Sequence, residues 1–284
     1  MAAFYNQATL SYSGGSTASN ITVGELVNAL GVSKTAVVPQ YGAGDRVTYV
    51  INLVNSGAAA LTGLTLADNL GTYAFGTGSL IPLDYVDGSV KYFVNGVLQT
   101  APAVTVGNGI TISGISVPAG GNSTIVYETT VNSFAPPGAD GSITNTVTVT
   151  GDGLTGPVTA EETINAASAA RLTITKSLSP TTVSENGRLT YTFTIQNSGA
   201  EPVDAADAAV LRDSFDPKLS DLTVTFNGTA WSAPTNYSYD AATGAFATVA
   251  GQITVPAAAY TQDPTTGAWS ITPGVSTLVV EGTV

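Results

Sequence analysis

Two halves of this chain repeat each other at a fixed offset, and that constrains the fold more than any single residue does. Lys34, Arg46, Tyr49 and Asn55-Ser-Gly57 return with identical spacing as Lys176, Arg188, Tyr191 and Asn197-Ser-Gly199. Self-similarity of this kind marks a duplicated structural unit. Each copy opens on a strand carrying the Lys, crosses a turn, and enters a run in which apolar residues alternate strictly with polar ones, Val47 to Val54 and Leu189 to Gln196. Alternation with period two places one face of a strand on a core. Each copy then runs to an apolar strand ending in Asp, LTLAD or AVLRD, and to an Asn-Gly pair, Asn95-Gly96 or Asn227-Gly228, the turn signal of a hairpin. The copies close on matching phrases, STIVYETTV (Ser123 to Val131) and STLVVEGTV (Ser276 to Val284).

Composition agrees with an all-β chain. Turn residues recur every eight to twelve positions, no long helical pattern competes, and 43% apolar residues across 284 positions are enough for two cores. The absence of Cys and His removes disulfides, thiol nucleophiles, imidazole bases and the usual zinc sites together. A net charge of -12 with eight basic residues leaves little to neutralise a phosphate backbone, so neither nucleic acid nor anionic lipid is an expected partner. The opening MAAFYNQATLSYSGG has neither a basic stretch nor an apolar run, so no secretory signal is expected, and no segment reads as a membrane span.

The first copy continues into ITNTVTVT, Ile143 to Thr150, where Asn145 shares a face with Ile143, Val147 and Val149. No such segment follows Val284, so the second sandwich is expected to lack its last strand. An echo of that strand stands at the beginning instead: Phe4, Asn6, Ala8, Leu10 and Tyr12 share one phase, with the Asn in the same place. A Gly lies eight residues beyond each Asn, Gly14 and Gly153, and Glu25-Leu-Val-Asn-Ala29 then matches Glu162-Thr-Ile-Asn-Ala166. The expected division is a donor strand over 1–15, a connector over 16–30, a first sandwich over 31–153, a connector over 154–169, and an incomplete second sandwich over 170–284.

The Lys-Thr start, the GDRVTYVI turn and strand, Asn-Ser-Gly, the strand ending in Asp, and the closing ITNTVTVT resemble the domain-of-unknown-function-eleven repeat of bacterial and archaeal surface proteins. That resemblance covers nearly all of both copies. It implies Ig-like sandwiches strung into cell-surface stalks, and a structural or adhesive role at the surface of a cell or spore.

Phase also puts charged residues on core faces. Lys34 alternates with Val32 and Ala36, and Lys176 with Ile174 and Leu178; Asp68 shares a face with Leu64 and Leu66, and Asp213 with Leu211 and Phe215. Lys and Asp are almost never fully buried unless paired. Two arrangements satisfy them. One is a buried ion pair beside a hydrogen-bonded Asn. The other is an isopeptide bond, because desolvation favours the neutral amine and the neutral acid, and a neutral amine attacks the Asn carboxamide with loss of ammonia. This triad resembles that of isopeptide-bearing surface domains of Gram-positive bacteria. It predicts a bond within the first copy from Lys34 to Asn145, assisted by Asp68, and a bond between molecules from Lys176 to Asn6, assisted by Asp213. Glu128 and Glu281 are alternative acids, yet both fall out of phase with the apolar residues around them, which places them on the solvent face.

The remaining signals read as ordinary structure. Gly151 to Gly156 fits a dinucleotide-loop spacing, but Pro157 and a Val-Thr run follow it where a helix would be needed. Asp84, Asp87, Asp204 and Asp207 lack a calcium-loop pattern, so no metal or cofactor is expected. Trp231, Trp269, Tyr237, Tyr239 and Tyr260 could line a glycan surface, although aromatic residues in a sandwich usually cover its core. The sequence thus reads as two tandem Ig-like sandwiches in a filament subunit that polymerises with itself by strand donation, without enzymatic turnover. A monomeric adhesion or carbohydrate-binding module is the alternative, and what such a subunit attaches to is not encoded in any motif.

Overall fold

The computed structural model describes residues 2–26 and 28–284, and it is all-β apart from one turn of 3-10 helix at Ala205–Asp207. It divides into two compact units, residues 1–136 with 142–165, and residues 137–141 with 166–284.

The first unit is a sandwich of two six-stranded sheets. In one of them Arg46–Asn55 is central, with Leu30–Ala36 on one side and Asn122–Val131 on the other, followed by Lys91–Val94 and Val97–Leu98. Alternation builds its inner face: Val47, Tyr49, Ile51 and Leu53 are fully buried, and Ile125 and Tyr127 stand opposite Ile51 and Tyr49 across the ladder. β-branched and aromatic cross-strand pairs of this kind are what stabilise a sheet. The second sheet runs Ala103–Gly107, Gly109–Val117, Leu61–Asp68, Ser142–Thr150, Val158–Ala166, Gln40–Tyr41. Leu61–Asp68 is paired on both edges there, by Gly109–Val117 and by Ser142–Thr150.

The second unit repeats the first sheet and only part of the second. Leu172–Ser179, Arg188–Asn197, Gly274–Thr283, Ser220–Phe226 and Thr229–Trp231 form a five-stranded sheet in the matching order. Facing residues of Arg188–Asn197 and Gly274–Thr283 supply the core, with Phe215 and Phe246. The other sheet is reduced to Arg212–Ser214, Ala245–Thr248 and Tyr237–Asp240, with Arg212–Ser214 at its edge. Both Asn-Gly hairpins form, with φ positive at Asn95 and Gly96 and at Asn227 and Gly228, as a primed two-residue turn demands.

Both segments read as connectors, 154–169 with some extended structure and 16–30 as its counterpart, carry paired strands. Residues 16–30 are not a plain connector: Gly15–Ala18 and Thr22–Leu26 fold back on Thr9–Tyr12 and Ala2–Asn6, so the amino-terminal segment is a two-stranded ribbon turning at Ser13-Gly14. Its first arm is also interrupted at Gln7 and Ala8, where the Ser19 hydroxyl accepts from the Ala8 N–H and ends the ladder. Residues 154–169 contain a full strand as well, Val158–Ala166, which pairs with Ser142–Thr150 along its length and belongs to the first unit's sheet. In both places Thr- and Val-rich sequence finds a partner strand across a turn, and pairing satisfies backbone groups that a connector would leave to water.

Candidate functional site

In the first unit the triad gathers at the centre of the sandwich. Lys34 projects from Leu30–Ala36 and Asp68 from the end of Leu61–Asp68 in the facing sheet, so Lys34 Nζ lies 2.6 Å from Asp68 Oδ2 with both side chains wholly shielded from solvent. Tyr127, on Asn122–Val131, donates its hydroxyl to the same carboxylate oxygen at 2.6 Å, and Leu70 N–H donates to Oδ1 at 3.0 Å. Asn145 Nδ2 donates to the Tyr127 oxygen at 3.1 Å. Lys34 and Asn145 thus stand at the two ends of one buried hydrogen-bonded chain. Asn145 Oδ1 and the Tyr49 hydroxyl are buried without a hydrogen-bond partner among the described residues. An unsatisfied buried carbonyl oxygen costs on the order of 1–3 kcal/mol.

Burial pushes the Lys34 amine down from 10.5 to about 8, against the opposing pull of Asp68 and, from farther off, Glu162. Its ammonium form also lies 4.9 Å above the Tyr49 ring. Glu162 stands opposite Asn145 across the ladder and is half-buried beside it. Sequence reading passed over both Tyr127 and Glu162. Tyr127 is in phase with core residues and its polar tip is invisible to periodicity; the Asn145–Glu162 pairing follows only once 158–166 is recognised as a strand.

The amine shift has a testable sign. In the unfolded chain Lys34 keeps its proton to about pH 10.4, whereas in the folded chain the proton leaves near 8. Between those values the unfolded state binds more protons, so stability rises with pH. Burial raises Tyr49 and Tyr127, which acts the other way above about pH 10, where unfolded tyrosines ionise. An Asn145→Ala variant, which keeps the amine free, is expected to gain in Tm from pH 8 to about 10. Adding Lys34→Met should flatten that rise; a flat profile in Asn145→Ala alone would contradict a free buried amine.

The second unit holds the same pair in an open setting. Lys176 contacts Asp213, and its Nζ lies 4.5 Å from the Tyr191 ring centroid and 5.4 Å from those of Phe193 and Phe215. Yet the side chains of Lys176 and Asp213 are 40% and 19% exposed, where those of Lys34 and Asp68 are at zero. The expectation that both lysines are buried is therefore corrected for Lys176. The cause is local: every residue of Leu172–Ser179 is exposed, and an apolar groove lined by Leu172, Ile174, Ile195, Val210, Leu211 and Ile253 lies uncovered beside it. Asn6 is exposed on the amino-terminal ribbon, in the company of Phe4, Tyr5, Leu10 and Tyr12, and Ala8 is exposed with them.

Other candidates resolve as structure. Glu128 pairs with Arg46 at 2.8 Å and Glu281 with Arg188 at 3.5 Å, both on solvent-facing sides. Asp204 and Asp207 cap the 3-10 turn reciprocally, and Asp84 accepts from Asn132. Trp231 stacks on Phe226, Tyr237 on Phe246, the Tyr239 hydroxyl bonds Leu219 and the Tyr260 hydroxyl donates to Ser198, so these aromatics are engaged within the second unit, where Tyr237 is buried and Trp231, Tyr239, Tyr260 and Trp269 are half-exposed. Among the described residues no group of three acidic side chains could hold a metal ion, and no helix is long and apolar enough to cross a membrane.

No protein-family model and no curated protein matches the chain. Among solved structures it is similar to the pilus backbone of Streptococcus pneumoniae, at 15% identity over 86% of this chain and 55% of that one, with a TM-score of 0.35. It is similar to BcpA, the major pilin subunit of Bacillus cereus, at 9% identity over 95% of this chain and 73% of that one, with a TM-score of 0.37. A family 123 glycoside hydrolase from Clostridium perfringens overlaps 48% of this chain and 27% of its own, at 12% identity and a TM-score of 0.32. The chain thus spans about half of the pneumococcal protein and about a quarter of the hydrolase. Overlaps this partial assign neither activity nor partner.

Proposed function

We propose that the chain is the structural subunit of an extracellular filament of the surface-repeat type its sequence resembles. In this reading the amino-terminal ribbon of one copy fills the open side of the second unit of the next. The observation that carries it is the contrast between the units. In the first, the hairpin of Ser142–Thr150 and Val158–Ala166 pairs with Leu61–Asp68 and brings Asn145 to the buried pair. In the second, the equivalent edge at Arg212–Ser214 is unpaired, the groove beside it is apolar and open, and Lys176 is exposed. The ribbon echoes that hairpin in sequence, Phe4 to Tyr12 with its Asn matching Ile143 to Thr150 and Glu25 to Ala29 matching Glu162 to Ala166, while Asn6 pairs with Thr22 where Asn145 pairs with Glu162. Adding a strand to an open sheet edge is an established mode of recognition. Burying Phe4, Leu10 and Tyr12 contributes about 1.5–3 kcal/mol each, before the backbone ladder is counted.

Docking would carry Asn6 toward Lys176 and Asp213, and an isopeptide bond between them would make each junction covalent. The same chemistry from Lys34 to Asn145 would lock the first unit within a molecule. In a chain without Cys this supplies the permanence that disulfides give elsewhere. Boiling assembled protein in detergent tests the junction. Wild type should give a ladder of multimers, and Asn6→Ala or Lys176→Ala should collapse it to monomer. A wild type that runs wholly as monomer after boiling refutes the covalent junction, and one that elutes as discrete monomers before boiling refutes the filament.

A further inference from the structure

We propose that the Tyr127 hydroxyl is the proton relay of the Lys34–Asn145 reaction, an inference that rests on the bond proposed above. Asp68 has no direct contact with the Asn145 amide in its hydrogen-bonding. Its Oδ2 accepts from Lys34 and Tyr127 and its Oδ1 from the Leu70 N–H, and Tyr127 alone links it to Asn145 Nδ2. A leaving amide nitrogen must gain a proton before it departs as ammonia. That nitrogen donates to the Tyr127 oxygen, itself 2.6 Å from the carboxylate that takes the lysine proton.

The step balances along this chain. Lys34 gives a proton to Asp68, and the freed Nζ electron pair attacks Asn145 Cγ, sending the carbonyl pair onto Oδ1. With the lysine proton on Asp68 both hydrogen bonds reverse, Asp68 donating to the Tyr127 oxygen and Tyr127 to the lone pair that the attack frees on Nδ2. The Asp68 proton passes to the Tyr127 oxygen as the Tyr127 proton passes to Nδ2. The Cγ–Nδ2 bond breaks, its electrons leave with ammonia, and the carbonyl re-forms. The surplus proton on Nζ goes to Asp68, which ends as a neutral acid beside the new amide. No other reactant enters, and the tyrosine returns to its starting form.

The second unit supplies an independent contrast. Across its ladder Val280 stands opposite Tyr191, where Tyr127 stands opposite Tyr49 in the first unit. The hydroxyl is therefore missing from the site that has no Asn of its own in place. A first unit equipped to react on folding and a second that reacts only when a neighbour brings its amide within direct reach of Asp213 is the order a covalent polymer requires.

The test follows chain that has never folded, made by cell-free synthesis or purified under denaturant from inclusion bodies, as it folds for the first time, by intact mass against time. Wild type should lose one ammonia. Tyr127→Phe should fold to a cooperatively melting protein and lose it about 10²-fold or more slowly, the usual worth of a placed acid–base group. Tyr92→Phe, which removes a hydroxyl bonded to the Ser116 carbonyl away from the triad, should keep the wild-type rate. Equal rates in Tyr127→Phe and wild type overturn the relay and leave the bond standing; a wild type that never loses an ammonia overturns the bond itself. Should Tyr127→Phe fail to fold, difluorotyrosine at position 127 keeps the shape and makes the phenol more acidic. A shift of the pH–rate profile is then expected, and an unmoved profile overturns the relay.

Discussion

A chain that begins at residue 30 is expected to stay monomeric under conditions in which the full chain assembles into fibres. Removing both arms of the ribbon takes away the only segment whose pattern matches the hairpin at 142–166, while the groove by Leu172 and Ile174 and the edge at Arg212–Ser214 stay open. Open edges beside apolar surface invite non-specific association, so the truncated protein should also be sticky on a sizing column. A synthetic peptide of residues 2–26 should rescue it. Ligand that binds only the folded state stabilises by about 2.7 kcal/mol at a hundredfold excess over Kd, a rise in Tm that is easily read. A peptide of residues 2–12 alone should rescue less, because it lacks the arm that covers its outer edge. Fibres from the truncated chain, indistinguishable from those of wild type, would sink strand donation.

The second large effect concerns the interior of the first unit. Intact wild type should weigh less than its sequence by one ammonia, and Lys34→Ala or Asn145→Ala should restore the sequence mass. The two variants should differ sharply in stability. Both lose the crosslink, and Lys34→Ala also leaves Asp68 with no solvent access and no cation, which costs about 3–5 kcal/mol relative to the paired carboxylate that Asn145→Ala keeps. Asn145→Ala leaves the ion pair intact and forfeits the crosslink and one hydrogen bond. If the bond does not form, Lys34→Ala still loses the ion-pair contribution but the mass of wild type equals that of its sequence. Calorimetry and mass together therefore separate the buried ion pair from the isopeptide.

How much of this was legible beforehand depended on the range of the interaction. The Arg46–Asn55 and Arg188–Asn197 strands were plain because alternation is local and nearly unbroken there. Lys34 and Asp68 could be assigned to the core by phase alone, since each interrupts an otherwise apolar face. Tyr127 could not be given its role, because its hydroxyl meets a carboxylate from the opposite sheet and an amide from a third strand, and no single-strand pattern encodes that meeting. The exposure of Lys176 was hidden for a related reason: phase tells which way a side chain points, and burial also needs a strand on the far side. The ribbon was missed in its second arm, where Gly24 and Asn20 dilute the alternation, although Ser13-Gly14 was the turn signal that could have revealed it.

Leu30–Ala36 is the first strand of the first unit's two six-stranded sheets and Ser142–Thr150 lies near their end in sequence, and the candidate bond joins these two strands at Lys34 and Asn145. Tension arriving along the backbone at residue 34 and leaving at residue 145 would then cross through two side chains, and residues 35–144 would lie off its path. Survival of a sandwich under pulling is otherwise set by its unfolding rate. A crosslink at this position changes the governing quantity to the strength of a covalent bond, and a fibre of such units would neither lengthen by unfolding nor recoil. The core between those strands would be free to be ordinary: it needs stability enough to fold and bring the amine to the amide, and afterwards the stretch it can withstand is no longer its own property.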